Sequence, residues 1–318
     1  MTQSIIRLPE VDEVVITTIV DNSIDIGMAG TDLVRRLPMS TRLIQSGLPV
    51  AEHGLSLLIE VKRGERRGTV LFDTGVSPTG ILHNLDVLQI RAQDLQAIVL
   101  SHGHWDHAMG LAGLVDRLGS RRLPLVVHPD AYLERKLVLP NGTEVEIPTP
   151  LLSDFRQENI EVIEEVEPSM LLDGMVLVTG EVARTTDFEI GFPVQWAKRD
   201  GTWEHDPAVH DDQGVIVNLK DRGLVVITGC GHAGIINTVR HAQALTGIPR
   251  VHAVIGGFHL AGRMFEPLIP ATVAALEAIG PGILVPTHCT GWRAIHAIAR
   301  TMPEAFIANS VGTTIHLI

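Results

Sequence analysis

Ser101-His102-Gly103-His104-Trp105-Asp106-His107 puts three imidazoles and one carboxylate within six residues. Directly before it, Ala97-Ile98-Val99-Leu100 is a short apolar, β-prone run of the kind that forms a buried strand. After it, Gly110-Leu111-Ala112-Gly113-Leu114 begins a helical pattern. The cluster therefore falls on a loop where a strand ends and a helix starts, the place where a rigid scaffold usually carries a site. Neutral imidazole and carboxylate are good ligands for borderline divalent metals. His102 and His104 are two apart and, in locally extended backbone, point the same way. Asp106 and His107 follow a turn and face a second point. One loop can thus offer two ligands to each of two metals, which in two-metal hydrolytic sites lie ~3.5–4 Å apart.

Outward from this loop, strand-like runs recur. Before it come Val14–Val20, Leu55–Val61 and Thr69–Phe72, the last ending in Asp73-Thr74-Gly75, then a helical stretch around Ile81–Leu88. After it come a helix over 111–118 and a strand Leu123–His128. Ile160–Ile163 and Met175–Thr179 read as strands of a second half. Val215–Leu219 and Leu224–Thr228 follow, the latter running into Gly229-Cys230-Gly231-His232-Ala233-Gly234. Val251–Ile255 leads to Gly256-Gly257-Phe258-His259, and Ile283–Pro286 leads to Thr287-His288-Cys289-Thr290. Every strong candidate lies at the C-terminal end of an apolar strand. His241, His252, His296 and His316 fall inside helix or strand patterns and read as structural. Three stretches lack regular patterning and read as cap or insert loops: about 23–50, 129–150 and 184–212. The last is long for a connection inside a compact domain, which points to a functional loop.

Bulk properties narrow the function. At 318 residues and 45% hydrophobic, the chain can bury a sizeable core, in one large domain or two small ones. A net charge of −12 argues against a general nucleic-acid surface, which needs clustered Lys and Arg. Two cysteines imply no disulfide framework. The N-terminal stretch lacks the apolar core of a secretory signal, and no apolar run is long enough to span a bilayer. The expectation is a cytoplasmic protein acting on a small molecule, without a nucleic-acid or membrane partner.

H-x-H-x-D-H after a short strand resembles the signature of the metallo-β-lactamase superfamily. The order strand, Asp-Thr-Gly, helix, strand, H-x-H-x-D-H extends the likeness over nearly the whole chain. The strings AEHGLS, LFDTG, LSHGHWDH, TGCGHAGIINTV, GGFHL and PTHCTGW resemble a branch of that superfamily named after a dihydropterin aminobenzene-phosphate synthase of methanopterin biosynthesis. The resemblance implies an α/β fold in a single domain over 1–318, an αβ/βα four-layer sandwich of two similar halves with the site in the cleft between two sheets. It implies that Asp73 buttresses the metal loop, although the same residue can cap the turn that follows it. It also implies that His288 is the last metal ligand. Where the superfamily has Gly-Asp ending a later strand, this chain has Gly229-Cys230, and near Gly180-Glu181, where a His is expected, it has a Glu. His232 is therefore inferred to supply the missing nitrogen. Cys230 reads either as a thiolate ligand or as a buried structural thiol.

These readings lead to a metal-dependent hydrolase. One metal is expected at His102, His104 and His232, where it would turn water into hydroxide near neutral pH. A second is expected at Asp106, His107 and His288, with Asp106 alternatively orienting the nucleophile. The expected cofactor is two Zn, with Mn or Fe as substitutes. His259 is expected to protonate a leaving group. The substrate classes are small phosphate esters, phosphodiesters and activated acyl compounds. The alternatives are a metal-dependent synthase or lyase for a pterin or phosphoribosyl-type substrate, and a non-catalytic ligand sensor.

Overall fold

The computed structural model describes residues 5–119, 121–150, 155 and 157–318; the first four residues of the N-terminal stretch lie outside them. Two mixed sheets face one another. The first has the strand order Ile160–Glu164, Leu123–Val127, Ala97–Val99, Arg66–Phe72, Ser56–Arg63, Glu13–Val20, Thr314–Leu317, Val34–Arg35. The second runs Ser169–Leu171, Val176–Val178, Gly214–Leu219, Gly223–Thr228, Val251–Gly257, Ile283–Thr287, with Glu10–Val11 pairing onto Gly214–Leu219.

Strand periodicity builds the layers. Leu57, Ile59 and Val61 point inward and pack with Val225 and Ile227 from the facing sheet. Their neighbour Leu58 points the other way, against Ile81, Leu85, Leu111 and Leu114 of the helices Pro78–Leu88 and Leu111–Leu118. On the second sheet, Leu224 and Val226 pack against Ile236, Val239, Leu276 and Ile298 of the helices Ile235–Thr246, Ile269–Ile279 and Trp292–Thr301. Alternation of apolar residues on both strand faces demands a cover on each side, and the result is the expected α/β/β/α sandwich.

Three expectations change. Ile160–Glu164 does not belong to the second half. It pairs in parallel with Leu123–Val127 and forms the edge of the first sheet. A short half-exposed strand carries no sequence mark of which sheet it joins. The two insert segments are not loops. Arg135–Val138 and Glu144–Ile147 from the first, and Gln195–Arg199 and Thr202–His205 from the second, form one small antiparallel sheet. Each hairpin alone is marginal, and their pairing, Leu137 with Gln195, is what gives them structure. The 23–50 stretch contributes the strand Val34–Arg35 and the short helix Thr41–Ser46 at the far edge of the first sheet.

Parallel pairing sets the site. Phe72 and Val99 are register partners, so Asp73 emerges beside the His102 loop. Thr228 pairs with Gly256 and Gly257 with Thr287, so the loops carrying His232, His259 and His288 emerge side by side. Glycine is required where the two halves touch: a Cβ on Gly229 would strike Ser101 Oγ.

Candidate metal centre

The loop ends converge on two donor groups. In the first, His102 Nε2 lies 2.9 Å from His104 Nδ1, and His232 Nε2 lies 3.1 Å from the same atom. In the second, Asp106 Oδ2 is 3.3 Å from His288 Nε2 and 3.9 Å from His107 Nε2. Cys230 Sγ joins that group, 3.1 Å from His107 Nε2. The division matches the split expected from the sequence. Cys230 stands among the donors, while Glu181 does not: it is half-exposed and pairs with His210.

The opposite edges of the rings are held, which decides which nitrogen faces the centre. Gln195 Oε1 accepts from His104 Nε2 at 2.6 Å, leaving the Nδ1 lone pair inward. Asp73 Oδ2 accepts from His107 Nδ1 at 2.6 Å, leaving Nε2 inward. Asn22 Oδ1 accepts from His288 Nδ1 at 3.0 Å. His102 Nδ1 meets Ser101 Oγ at 2.8 Å, and that hydroxyl also lies 2.8 Å from Asp73 Oδ2. Such partners orient metal-binding imidazoles and fix their tautomers. Asp73 therefore does more than cap a turn. It accepts the Ser101 backbone N–H at 2.7 Å as well, tying the metal loop to the preceding strand end. Its own backbone is left-handed at φ 61°, as are His259 at 43° and His288 at 49°; such positions gather at functional sites.

Electrostatics test whether these residues suit a cation. Burial pushes the His102 and His232 rings well below their ordinary pKa, assisted by neighbouring imidazoles, and burial and Arg135 take His104 down to about 4. All three are neutral, with lone pairs crowded at distances near the ~3.4 Å edge of a tetrahedron of nitrogens around zinc. Burial also works against a charged His107, yet the Asp73 and Asp106 carboxylates outweigh it and raise that ring to about 9. Burial would raise Asp106, but His107 and His288 hold it far below the usual carboxylate range. His288 Nε2 has no hydrogen-bond partner. Three neutral donors aimed at one point, beside a buried carboxylate and a His107 ring whose Nε2 proton a bound cation would displace, fit divalent metal ions.

The loop itself is anchored from the second sheet's side. Asp211 Oδ2 accepts the Gly103 N–H at 2.7 Å, and Asp211 Oδ1 receives Arg135 of the small sheet at 2.7 Å. Over the centre lies a cavity of about 420 Å³. Leu137, Val145, Ile147 and Pro148 of the first insert wall it, with Phe192 of the second, Trp105, His53 and His259. The 23–50 stretch does not line it. His259 sits with its ring centroid 4.1 Å from that of His232.

Several contributors were not expected from sequence. His53 Nε2 lies 3.5 Å from Asp106 Oδ2 on a half-exposed side chain, and its only signal was its place in the AEHGLS string. Gln195, Asn22, Asp211 and Phe192 are ordinary residues whose role depends on pairing across the fold.

Two predictions arise here. Asp73→Asn retains the shape but presents an amide to His107 Nδ1, so metal affinity is expected to fall ~10–100-fold, read by competition with a chelating dye. Asp212 Oδ2 accepts the Ala233 N–H at 2.8 Å, and its other oxygen is buried without a partner. Burial, opposed by that hydrogen bond and Arg184, pushes its carboxyl up to about 7. The folded state then holds a proton that the unfolded state releases near 3.8. Its contribution to stability is full below pH 4 and is lost as pH rises towards 7, by up to ~1.4 kcal/mol per unit. In chelator-treated protein, urea unfolding across this range should show a shallower decline for Asp212→Asn; parallel curves would contradict the assignment.

A family model described as the metallo-beta-lactamase superfamily matches residues 50–236. The 7,8-dihydropterin-6-methyl-4-(beta-D-ribofuranosyl)-aminobenzene-5'-phosphate synthase of Methanocaldococcus jannaschii is 29% identical over 271 residues, covering 83% of this chain and 90% of that protein. An uncharacterized protein of the same organism is 31% identical over 271 residues, covering 83% and 93%. A crystal structure of a metal-dependent hydrolase of the beta-lactamase superfamily superposes with a TM-score of 0.70 at 25% identity, covering 96% of this chain and 98% of that one. Among the described residues, no helix is long and apolar enough to cross a membrane.

Proposed function

Since the chain belongs to the metallo-beta-lactamase superfamily, we propose that it is a metal-dependent hydrolase of a small molecule, working with two divalent ions, zinc first among them. The observation that carries this reading is the set of inward nitrogens of His102, His104 and His232 beside Asp106, His107 and His288, with four of the five rings locked from behind. His102, His104 and His232 would hold one ion and Asp106, His107 and His288 the other. When bound, such ions supply Lewis-acid polarisation of the scissile bond and acidify water.

The chain's own residues do the rest. Asp106, held far below the usual carboxylate range against its burial by His107 and His288, lies between His53 and His288, 3.5 Å and 3.3 Å from their Nε2 atoms. His53 reaches in from the half-exposed rim to within 3.5 Å of Asp106 Oδ2 and would carry a proton between solvent and the leaving group, the step the sequence assigns to His259. Leu137, Val145, Ile147 and Phe192 exclude water and grip an apolar or aromatic portion of the substrate. This wall supports activated acyl compounds and aryl or heterocyclic phosphate esters as substrates.

The archaeal relative's name supports a second reading, in which the same centre joins a pterin to a phosphoribosyl-type partner. Protein purified without added metal should contain metal, lose activity to a chelator and regain it with Zn2+. Product analysis on phosphodiester, lactone and pterin substrates separates cleavage from condensation. Metal content of His232→Ala tests the ligand set: loss of one ion supports it, and a metal content indifferent to His232 overturns it.

A further inference from the structure

Three side chains on the cavity wall remain outside the six-ligand set. Cys230 Sγ, Cys289 Sγ and a ring nitrogen of His259 lie within 4.8 Å of one another. Both cysteines are free thiols, and Cys289 Sγ donates to the Cys230 carbonyl oxygen at 3.3 Å. Both ring nitrogens of His259 are buried without a hydrogen-bond partner. The backbone works to bring the three together. His259 holds a left-handed φ of 43°, which a non-glycine residue adopts at a cost. Gly257 leaves room for the second sulfur: a Cβ there would stand 2.6 Å from Cys289 Sγ and 3.2 Å from Cys230 Cα. All three side chains line the open cavity.

We propose that Cys230, Cys289 and His259 form a third cation site, distinct from the two His- and Asp-based positions and selective for a thiophilic ion such as Zn2+, Cd2+ or Co2+. Two sulfurs and one imidazole are a soft donor set, unlike the nitrogen and oxygen donors beside it. Three protein ligands leave a coordination position facing the cavity, where a thiol or other soft group of a ligand can enter. Each cysteine gives up its thiol proton to solvent as the ion binds, so uptake releases protons. Cys230 is then engaged by this ion, and Asp106, His107 and His288 keep their own three donors. The inference rests on these donor positions and not on the reaction the protein catalyses.

The test uses reduced, metal-free full-length protein titrated with Co2+ under nitrogen, following the near-ultraviolet thiolate-to-cobalt charge-transfer band and total bound metal. Wild type should show the band. Cys289→Ser should lose about half of it, the Cys230→Ser/Cys289→Ser pair all of it, and His259→Asn should weaken the cobalt affinity read from the band at least ~10-fold. Bound metal at the other positions should persist in these variants, which also reports that they are folded; Cys289→Ala serves if the serine variant is not. A band unchanged by Cys289→Ser means that Cys230 alone binds, as a fourth donor to the Asp106 group, and overturns the proposal. Absence of any band overturns it as well. Failure of His102→Ala to reduce bound metal would instead sink the hydrolase reading, so the two outcomes are separable.

Discussion

Replacing His102 and His104 together by alanine is expected to abolish turnover while the protein stays folded. Two of the three nitrogens that define the first position disappear, and His232 alone cannot hold an ion there. Loss of the Lewis-acid contribution, several kcal/mol of transition-state stabilisation, corresponds to a rate fall of at least ~10³. The fold survives because the loop is fastened by its backbone, through Gly103 to Asp211 and Ser101 to Asp73, and not by the two rings. Metal content, turnover and circular dichroism on the same preparation check this. Full activity in a folded variant lacking metal would overturn the mechanism.

The largest expected loss of stability is at Arg135. Its guanidinium is almost wholly buried, donates to Asp211 Oδ1 at 2.7 Å and to the Asp130 carbonyl at 2.9 Å, and links the small sheet to the metal loop. Burial would push the Asp211 carboxyl up, but Arg135 and the Gly103 N–H hold it below its ordinary value. Arg135→Met keeps the volume and strands the buried carboxylate, at an expected ~3–5 kcal/mol. Arg135→Met with Asp211→Asn should recover much of that loss, because a neutral amide needs no counter-charge. Urea unfolding at pH 7 gives both values. A single-variant loss under ~1 kcal/mol would show that the ion pair does not anchor the cap. Because Asp211 also holds the Gly103 amide, the single variant should bind metal more weakly too.

The donor residues and the layered fold were legible in the chain because each follows from local chemistry. His102, His104, Asp106 and His107 fall within one turn of sequence, and His232, His259 and His288 each follow an apolar strand bounded by glycine or proline. Alternating apolar residues on both faces, as in Leu57-Leu58-Ile59 and Leu224-Val225-Val226, require a sheet covered on both sides. What surrounds the donors was not legible. Gln195 reaches His104 across 91 positions of chain, Asn22 reaches His288 across 266, and the cap sheet joins two segments that each look irregular alone. Those pairings depend on strand order and register, which local patterns do not encode. The sequence by itself determined which residues are candidate donors and that they lie at strand ends. Only the tertiary structure decided which ring nitrogens face inward, because hydrogen bonds from distant strands choose the tautomer, and only it set two thiols and an unpartnered imidazole against the same cavity.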